Sequence, residues 1–383
     1  MADFREATKA WLHESCPQAI HGRQFDFAGG RKQPISEPVF QRWFDACYER
    51  GLTVPAWPKE FGGAALDRSE IRILREEMAA IGAPTPLGGM GISMIGPTLL
   101  EYGTDEQKQR HLPRIARGED RWCQGYSEPG AGSDLASLQT RAVDAGDHYL
   151  INGSKIWTSG ADQADWIFCL VRTDPDVPKH EGISFILFSM DDPGVTVKPI
   201  VLINGNSPFC ECFFDDVKAY KADLIGQQNR GWTIAKRLLQ HERSSISGGG
   251  AMGTGTLLPE LAAQYLGDAK DPVRRDELRR IQMDAAAFRI TQKRASEENQ
   301  EGATPTFATS MFKYYATEIT RRRMECSISM LGTQGIGWEG SSFTPSELGA
   351  TRTWLFGKAM TIAGGSSEVQ LNIIAKRVLG LPD

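Results

Sequence analysis

The sequence predicts a mainly α protein interrupted by one central β domain. Three observations carry that prediction. Apolar residues recur at helical spacing from Met1 to about Asp120; short β-branched and aromatic runs punctuated by Gly, Pro and Asp fill about Arg121 to Asn229; and long helical periods return after that. The expected domains are an N-terminal helical domain over 1–120, a middle β domain over 121–229 and a C-terminal helical bundle over 230–383.

In the first stretch, Phe4, Ala7, Trp11 and Leu12 make one apolar helix face. SEIRILREEMAAIG and TDEQKQRHLPRIARG follow, with Ser69 and Thr104 as expected N-caps. The middle stretch offers HYLINGSKIWTSG, DWIFCLVRTD, GISFILFSM, GVTVKPIVL and CECFFDDV as strands. Within it, Asn152-Gly153 is a strong short hairpin signal, because both residues tolerate the positive φ of a type I′ turn. The last stretch contains GWTIAKRLLQHERSSIS, VRRDELRRIQMDAAAFRITQKRASEEN, TFATSMFKYYATEITRRRMECSISML and EVQLNIIAKRVLG, whose number and length suit a bundle. The patch SISGGGAMGTGT is the one low-complexity segment.

Composition bounds the function. The chain has 383 residues, 40% hydrophobic and 24% charged, enough for a large core. Its net charge of −5 supplies no basic excess to attract a polynucleotide. No run of about 20 apolar residues reads as a membrane span, and MADFREATKAWLHES is not a secretory leader, so a cytoplasmic location is the expectation. Seven cysteines lie between Cys16 and Cys326 without metal spacing, and are expected to be buried free thiols. Cys210 and Cys212 would point to one face of a strand. No metal site is expected.

YSEPGAGSDLAS, starting at Tyr126, is Gly-rich and polar, and its backbone N–H groups suit a phosphate or a flavin edge. A surface loop between two domains would have the same composition. The context of this loop is informative. INGSKIWTSGADQADW follows, then FFDDVKAYKADLIGQQNRGW and finally GGSSEVQLNIIAKRVLGLP, with YGTDEQKQRHLPRIARGED upstream. In order and spacing these five segments resemble the acyl-CoA dehydrogenase family, from about Gly51 onward.

That resemblance implies an N-terminal helical domain, a middle β domain, a C-terminal four-helix bundle, one FAD per subunit and assembly as a dimer of dimers or as a heteromer. It also implies residue roles. Gln124, Tyr126, Ser127, Gly132 and Ser133 would wrap the flavin, with Ser133 shared with the CoA part of the substrate. Trp157, Thr158 and Ser159 would cover the other side of the ring and reach its N5; a strand Trp also suits a core, but the resemblance favours flavin contact. Gly332 and Thr333, within LGTQG, would reach the FAD of a neighbouring subunit, and Ser366 and Glu368 the adenosine half. The family's Arg-x-x-Phe-Gly grip on the pyrophosphate is missing. Arg274 and Arg275 in GDAKDPVRRDELRRI either replace it or form surface ion pairs.

The activity implied is removal of an α proton from an acyl-CoA while hydride passes from the β carbon to FAD, with electrons leaving through an electron-transfer flavoprotein. This chemistry needs a base. Many relatives carry a Glu where this chain has Gly364. Others take it from the helix before the acyl pocket, which here contains Glu242 in LLQHERSSISGG, followed by Arg243 as a contact for CoA. Glu368 and His241 are lesser candidates for the base. The alternatives are altered chemistry within the family (an oxidase, monooxygenase or desulfinase) and a half-active subunit of a heteromeric acyl-CoA dehydrogenase. The acyl group is not legible, although PTPLGGMGISMIG is rich in small residues.

Overall fold

A computed structural model describes residues 2–245, 271–300 and 308–382. These divide into two compact units, one built from 1–200 with 208–238 and the other from 201–207 with 239–383.

The first unit begins with helices α1 (Ala2–Ser15), α2 (Pro38–Glu49), α3 (Arg68–Ile81), α4 (Gly96–Tyr102) and α5 (Asp105–Ala116). Leu12, Ile20, Phe40, Trp43 and Cys47 form the core between the first two helices. Thr104 caps α5 as expected, with Gln107 completing a reciprocal capping box. Ser69 does not cap α3. Asp67 does, its carboxylate accepting from the Ser69 and Glu70 amides while Glu70 returns the bond. Asp67-x-x-Glu70 makes the complete box, so it outcompetes a lone serine two residues later.

The β domain is a single sheet in the order β6 (Val195–Ile200), β7 (Phe209–Tyr220), β3 (His148–Ser159), β2 (Arg141–Asp144), β4 (Trp166–Arg172), β5 (Ile183–Ser189), β8 (Leu224–Ile225). Strand β1 (Trp122–Gly125) pairs in parallel with β4. Cys123, Ile151, Ile167, Cys169, Ile186, Cys210, Cys212 and Val217 fill its core. All seven cysteines are free and buried, as the sequence implied, and Cys210 and Cys212 share one face of β7.

Asn152-Gly153 is not a hairpin turn. β3 runs straight through it, and the pairing with β7 slips there instead, with Gly153 at φ 147° and Asp216 at φ 51°. The Asn152 amide donates to Asp216 Oδ1 at 2.9 Å and its oxygen accepts from the Asp216 amide at 3.0 Å, so the pair forms a bulge. The turn between β2 and β3 lies at Ala145–Asp147, where Gly146 takes φ 97°.

The N-terminal helices are fastened to this sheet within the same unit. The Gln107 amide donates to the carbonyls of Ala222 and Leu224 at 2.8 and 2.9 Å, and Arg110 reaches Asp223 at 2.6 Å. Buried Asp165 accepts from the Arg121 amide at 2.9 Å and from Arg31 Nε at 3.1 Å.

Helix α6 (Gly231–Ser245) carries Glu242 and Arg243 on its last turns, and the side chains from Gln240 onward lie outside the described residues. The patch from Ile246 to Thr256 also lies outside them. In the second unit, α7 (Pro272–Gln300) packs on α8 (Ala308–Leu331) through Ile281 against Cys326, Met330 and Leu331, and through Phe288 against Ala316 and Ile319. Helices α9 (Pro345–Gly357) and α10 (Ser367–Ile373) complete the described part. No helix among the described residues is long and apolar enough to cross a membrane.

Candidate active site

In the first unit, β1 ends at Gly125 and delivers the chain into the loop that begins at Tyr126. Half-buried Gln124 lies on β1 opposite Phe168 of β4. The Tyr126 ring is buried edge-on against Phe168 and Phe185, with centroids 6.2 and 6.4 Å away. Glu128 and Ala131 then exchange backbone hydrogen bonds of 2.9 and 3.0 Å around Pro129-Gly130. Beyond this tight turn, Gly132 and Ser133 are exposed, and a Cβ added at Gly130 or Gly132 would meet nothing within 4 Å. The loop therefore presents its backbone to open space.

Strand β3 approaches that loop from beside it. The Ile156 amide donates to the Ser127 carbonyl at 2.9 Å. Lys155 pairs with Cys212 and Thr158 with Cys210, so Ile156 and Trp157 together oppose one residue of β7. This bulge sets Trp157 at φ 61°, a left-handed conformation that a bulky residue rarely adopts. The indole is 54% exposed and touches the Phe209 ring edge-on at 6.1 Å. Trp157 is therefore not a core residue, and its left-handed backbone stores roughly 1–3 kcal/mol relative to a relaxed conformation. Beside it, Thr158 is buried next to the Cys212 thiol and Ser159 is partly exposed.

Sequence reasoning missed what lies beneath the loop. Lys155 is fully buried, and its Nζ donates to Glu128 Oε1 at 2.7 Å and to the Tyr126 carbonyl at 3.1 Å. The Glu128 carboxylate also accepts from the Gln139 and Thr140 amides at 2.6 and 2.9 Å. Burial opposes ionisation of Glu128, but the Lys155 charge and these hydrogen bonds outweigh it and hold its pKa below the ordinary carboxylate value. A signal was present in strand parity: Tyr149, Ile151 and Lys155 share the inward face of β3, and a lysine there calls for a buried partner. Exposed Asp134 pairs with Lys179 at 2.8 Å, and this contact, with help from Ser137, lowers its pKa.

In the second unit, Gly332 at φ 56° opens a single 3-10 stretch after α8, and Thr333 beside it is exposed. The segment from Gly364 to Gln370 is tightly specified. Gly364 and Gly365 take φ 66° and 91°, and the Ser366 hydroxyl caps α10 by accepting from the Val369 amide at 3.4 Å. The buried Gln370 amide donates to the carbonyls of Gly364 and Gly365 at 3.3 and 3.4 Å, and the Ser367 hydroxyl donates to Glu318 at 3.3 Å. Lys313, fully buried on α8, donates to the Thr361 carbonyl at 3.3 Å. Glu368 is exposed, its pKa lowered by its own backbone amide and the Ser366 hydroxyl. Arg274 pairs with Asp271 at 3.3 Å, the surface ion pair that was one of the two readings of this segment. Among the described residues no cluster of His, Cys, Asp or Glu could hold a metal ion.

The first-unit residues fit a flavin: an exposed aromatic ring, partly exposed Ser127 and Ser159, and a glycine loop with open space above its backbone.

Comparison with known proteins agrees with that fit. Family models for the acyl-CoA dehydrogenase N-terminal, middle and C-terminal domains match residues 3–119, 123–217 and 229–379. The acyl-CoA dehydrogenase IpdE1 of Mycobacterium tuberculosis is 36% identical over 382 residues, covering 99% of this chain and 97% of that protein. Among solved structures, the Tcur3481-Tcur3483 steroid ACAD superposes with a TM-score of 0.78 at 30% identity, over 100% of this chain and 97% of the other. The ChsE4-ChsE5 complex from M. tuberculosis superposes with a TM-score of 0.74 at 28% identity, over 100% and 97%. With its three domain models in order and a relative this similar over nearly its whole length, the chain belongs to the acyl-CoA dehydrogenase family, a family of flavin-dependent oxidoreductases.

Proposed function

We propose that this chain carries out FAD-dependent α,β-dehydrogenation of an acyl-CoA thioester whose acyl group bears a steroid-derived ring system. It does so as one subunit of a heteromeric assembly that passes electrons to an electron-transfer flavoprotein. The observation that supports a flavin reaction best is local: the Tyr126–Ser133 loop and the strained, exposed Trp157 are joined through the Ile156–Ser127 hydrogen bond in one unit. The steroid substrate and the heteromer come from the relatives, since one similar structure is a steroid ACAD and another a complex of two named subunits.

In this reading Gln124, Tyr126, Ser127, Gly132, Ser133, Trp157, Thr158 and Ser159 hold the FAD, while Gly332 and Thr333 serve the FAD of a neighbouring subunit and Ser366 and Glu368 an adenosine half, roles that need an oligomer. FAD supplies the redox chemistry by accepting the β hydride. The protein supplies the rest. Trp157 excludes water from one face, and Ser133 and Arg243 orient the CoA portion, where a guanidinium suits a phosphate. The α proton passes to the Glu242 carboxylate. The family resemblance carries that role to Glu242, while Gly364, without a side chain and at φ 66°, has no group to fill it. The electron pair of the broken α C–H bond becomes the new C–C π bond as the β hydride leaves, so charge and electrons balance.

The test is an anaerobic titration of the flavin-loaded protein, with any subunit that co-purifies, against ring-bearing and linear acyl-CoA thioesters. Bleaching by the ring-bearing thioesters is expected, and Glu242→Gln should slow it by about 10²–10⁴-fold without loss of flavin. Equal rates in the two proteins would move the base elsewhere. Oxygen consumption with peroxide release would replace the dehydrogenase reading by an oxidase.

A further inference from the structure

None of the roles above uses the buried Glu128–Lys155 pair, yet it touches both parts of the flavin cradle. Taking two charges out of water costs several kcal/mol per ion, and packed hydrophobic side chains of the same volume usually serve stability as well or better. Net stabilisation is therefore a poor reason for it. What an ion pair supplies and two apolar side chains cannot is direction. Lys155 Nζ fixes the Tyr126 carbonyl at 3.1 Å and Glu128 at 2.7 Å, while the Glu128 carboxylate fixes the Gln139 and Thr140 amides at 2.6 and 2.9 Å.

The positions of these contacts matter. The entrance of the loop, Tyr126 to Glu128, and its exit, Gln139 and Thr140, are thus tied to one strand residue two places before Trp157. Arg172 holds the segment between, its guanidinium donating to the carbonyls of Ala136 at 2.6 Å and Leu138 at 3.2 Å. Between these anchors only the exposed stretch from Pro129 to Asp134 is left to face a ligand, apart from Ala131, which is buried within its turn.

We propose that Glu128 and Lys155 are positioning residues of the flavin site, setting the Tyr126–Ser133 loop against the Trp157 bulge at the separation a ring between them requires. This rests on the reading of that cradle as a flavin site. Neither residue touches the reacting atoms; both act through the backbone they hold.

The experiment compares the full-length wild type with Glu128→Gln/Lys155→Met, Lys155→Arg and, as a control, Asp120→Asn. The control breaks a different pair with a buried carboxylate in the same unit, Arg114–Asp120 at 2.7 Å. In the flavin-free proteins, amide exchange at Gln139, Thr140 and Ile156 should accelerate about tenfold or more in the double variant while β4 and β5 stay protected. In the flavin-loaded proteins, FAD affinity should fall about tenfold or more and the visible circular dichroism of the bound flavin should change, because pre-organisation is lost. Lys155→Arg should recover part of both, and it carries the test alone if the double variant does not fold. Asp120→Asn should lower the melting temperature and leave FAD affinity and dichroism as in the wild type. Wild-type affinity and dichroism in the double variant would overturn the proposal, as would losses that merely track melting temperature across both variants. A wild type that binds no FAD would overturn the flavin reading itself, and the exchange measurement would then judge the anchoring alone.

Discussion

Two segments with chemical content are held in opposite ways. The Tyr126–Thr140 loop is fixed by charge: Lys155, Glu128 and Arg172 sit beneath it and aim their hydrogen bonds at its carbonyls and amides. The Gly364–Gln370 segment is fixed by backbone conformation, with two consecutive left-handed glycines whose carbonyls are gripped by one neutral amide, Gln370. A loop anchored through side chains beneath it can change its exposed residues freely. A loop anchored through its own φ angles cannot, so under the proposed function an acid introduced at Gly364 would meet a strained backbone.

The largest expected effect breaks the second segment. A Cβ at Gly365 would lie 2.5 Å from the Gln370 side-chain nitrogen, on a backbone at φ 91°. Gly365→Ala should therefore cost about 2–4 kcal/mol, combining the left-handed penalty with displaced hydrogen bonds, read as a fall in denaturant midpoint at constant slope. A fall under about 0.5 kcal/mol would mean that the segment is not conformationally fixed.

Next comes an attempted restoration. Gly364→Glu, placed in the Glu242→Gln background, should destabilise by about 1–2 kcal/mol from its left-handed backbone and return no dehydrogenation. Recovery of flavin reduction by the double variant would show that the segment relaxes, and the contrast between the two regions would vanish.

The charged segment is probed by pH. Glu128 has a lowered pKa in the folded chain, so its contribution to stability is present above the unfolded carboxylate value and disappears as pH falls through the folded one. Stability against denaturant should therefore drop as pH falls below about 4, and Glu128→Gln/Lys155→Met should lose less over the same window. Parallel curves would assign the acid sensitivity to other carboxylates.

These contrasts explain what the sequence disclosed. Periodicity located the helices and strands because core-facing residues must repeat at 3.6 or 2. Turn chemistry was less reliable: Asn152-Gly153 has the composition of a hairpin, but β7 continues alongside it, and the extra residue is absorbed by the Asn152–Asp216 bulge. The Tyr126–Ser133 loop was legible as a motif, whereas its anchor was not, since Glu128 and Lys155 meet only after the chain has folded back across 27 residues. Strand parity places Lys155 on the inward face of β3, a signal that the motif reading passed over and that does not identify its partner. At Gly364 the sequence disclosed a missing side chain; the left-handed backbone that makes the loss hard to reverse is a property of the fold.

The smallest expected effect separates stability from function at one residue. Trp157 occupies a left-handed conformation that glycine adopts without cost, and its ring is 54% exposed, with one edge contact to Phe209. Trp157→Gly removes strain worth roughly 1–3 kcal/mol, and adds the entropy cost of glycine and the loss of a partly exposed aromatic contact, each about 0.5–1.5 kcal/mol. These terms nearly cancel, so the flavin-free protein should melt within a few degrees of the wild type. Under the proposed function FAD affinity should nevertheless fall, because Trp157 is assigned to cover one face of the ring. A variant that loses both stability and affinity would make Trp157 a packing residue. One that loses neither would remove it from the site and leave the bulge of β3 without a purpose.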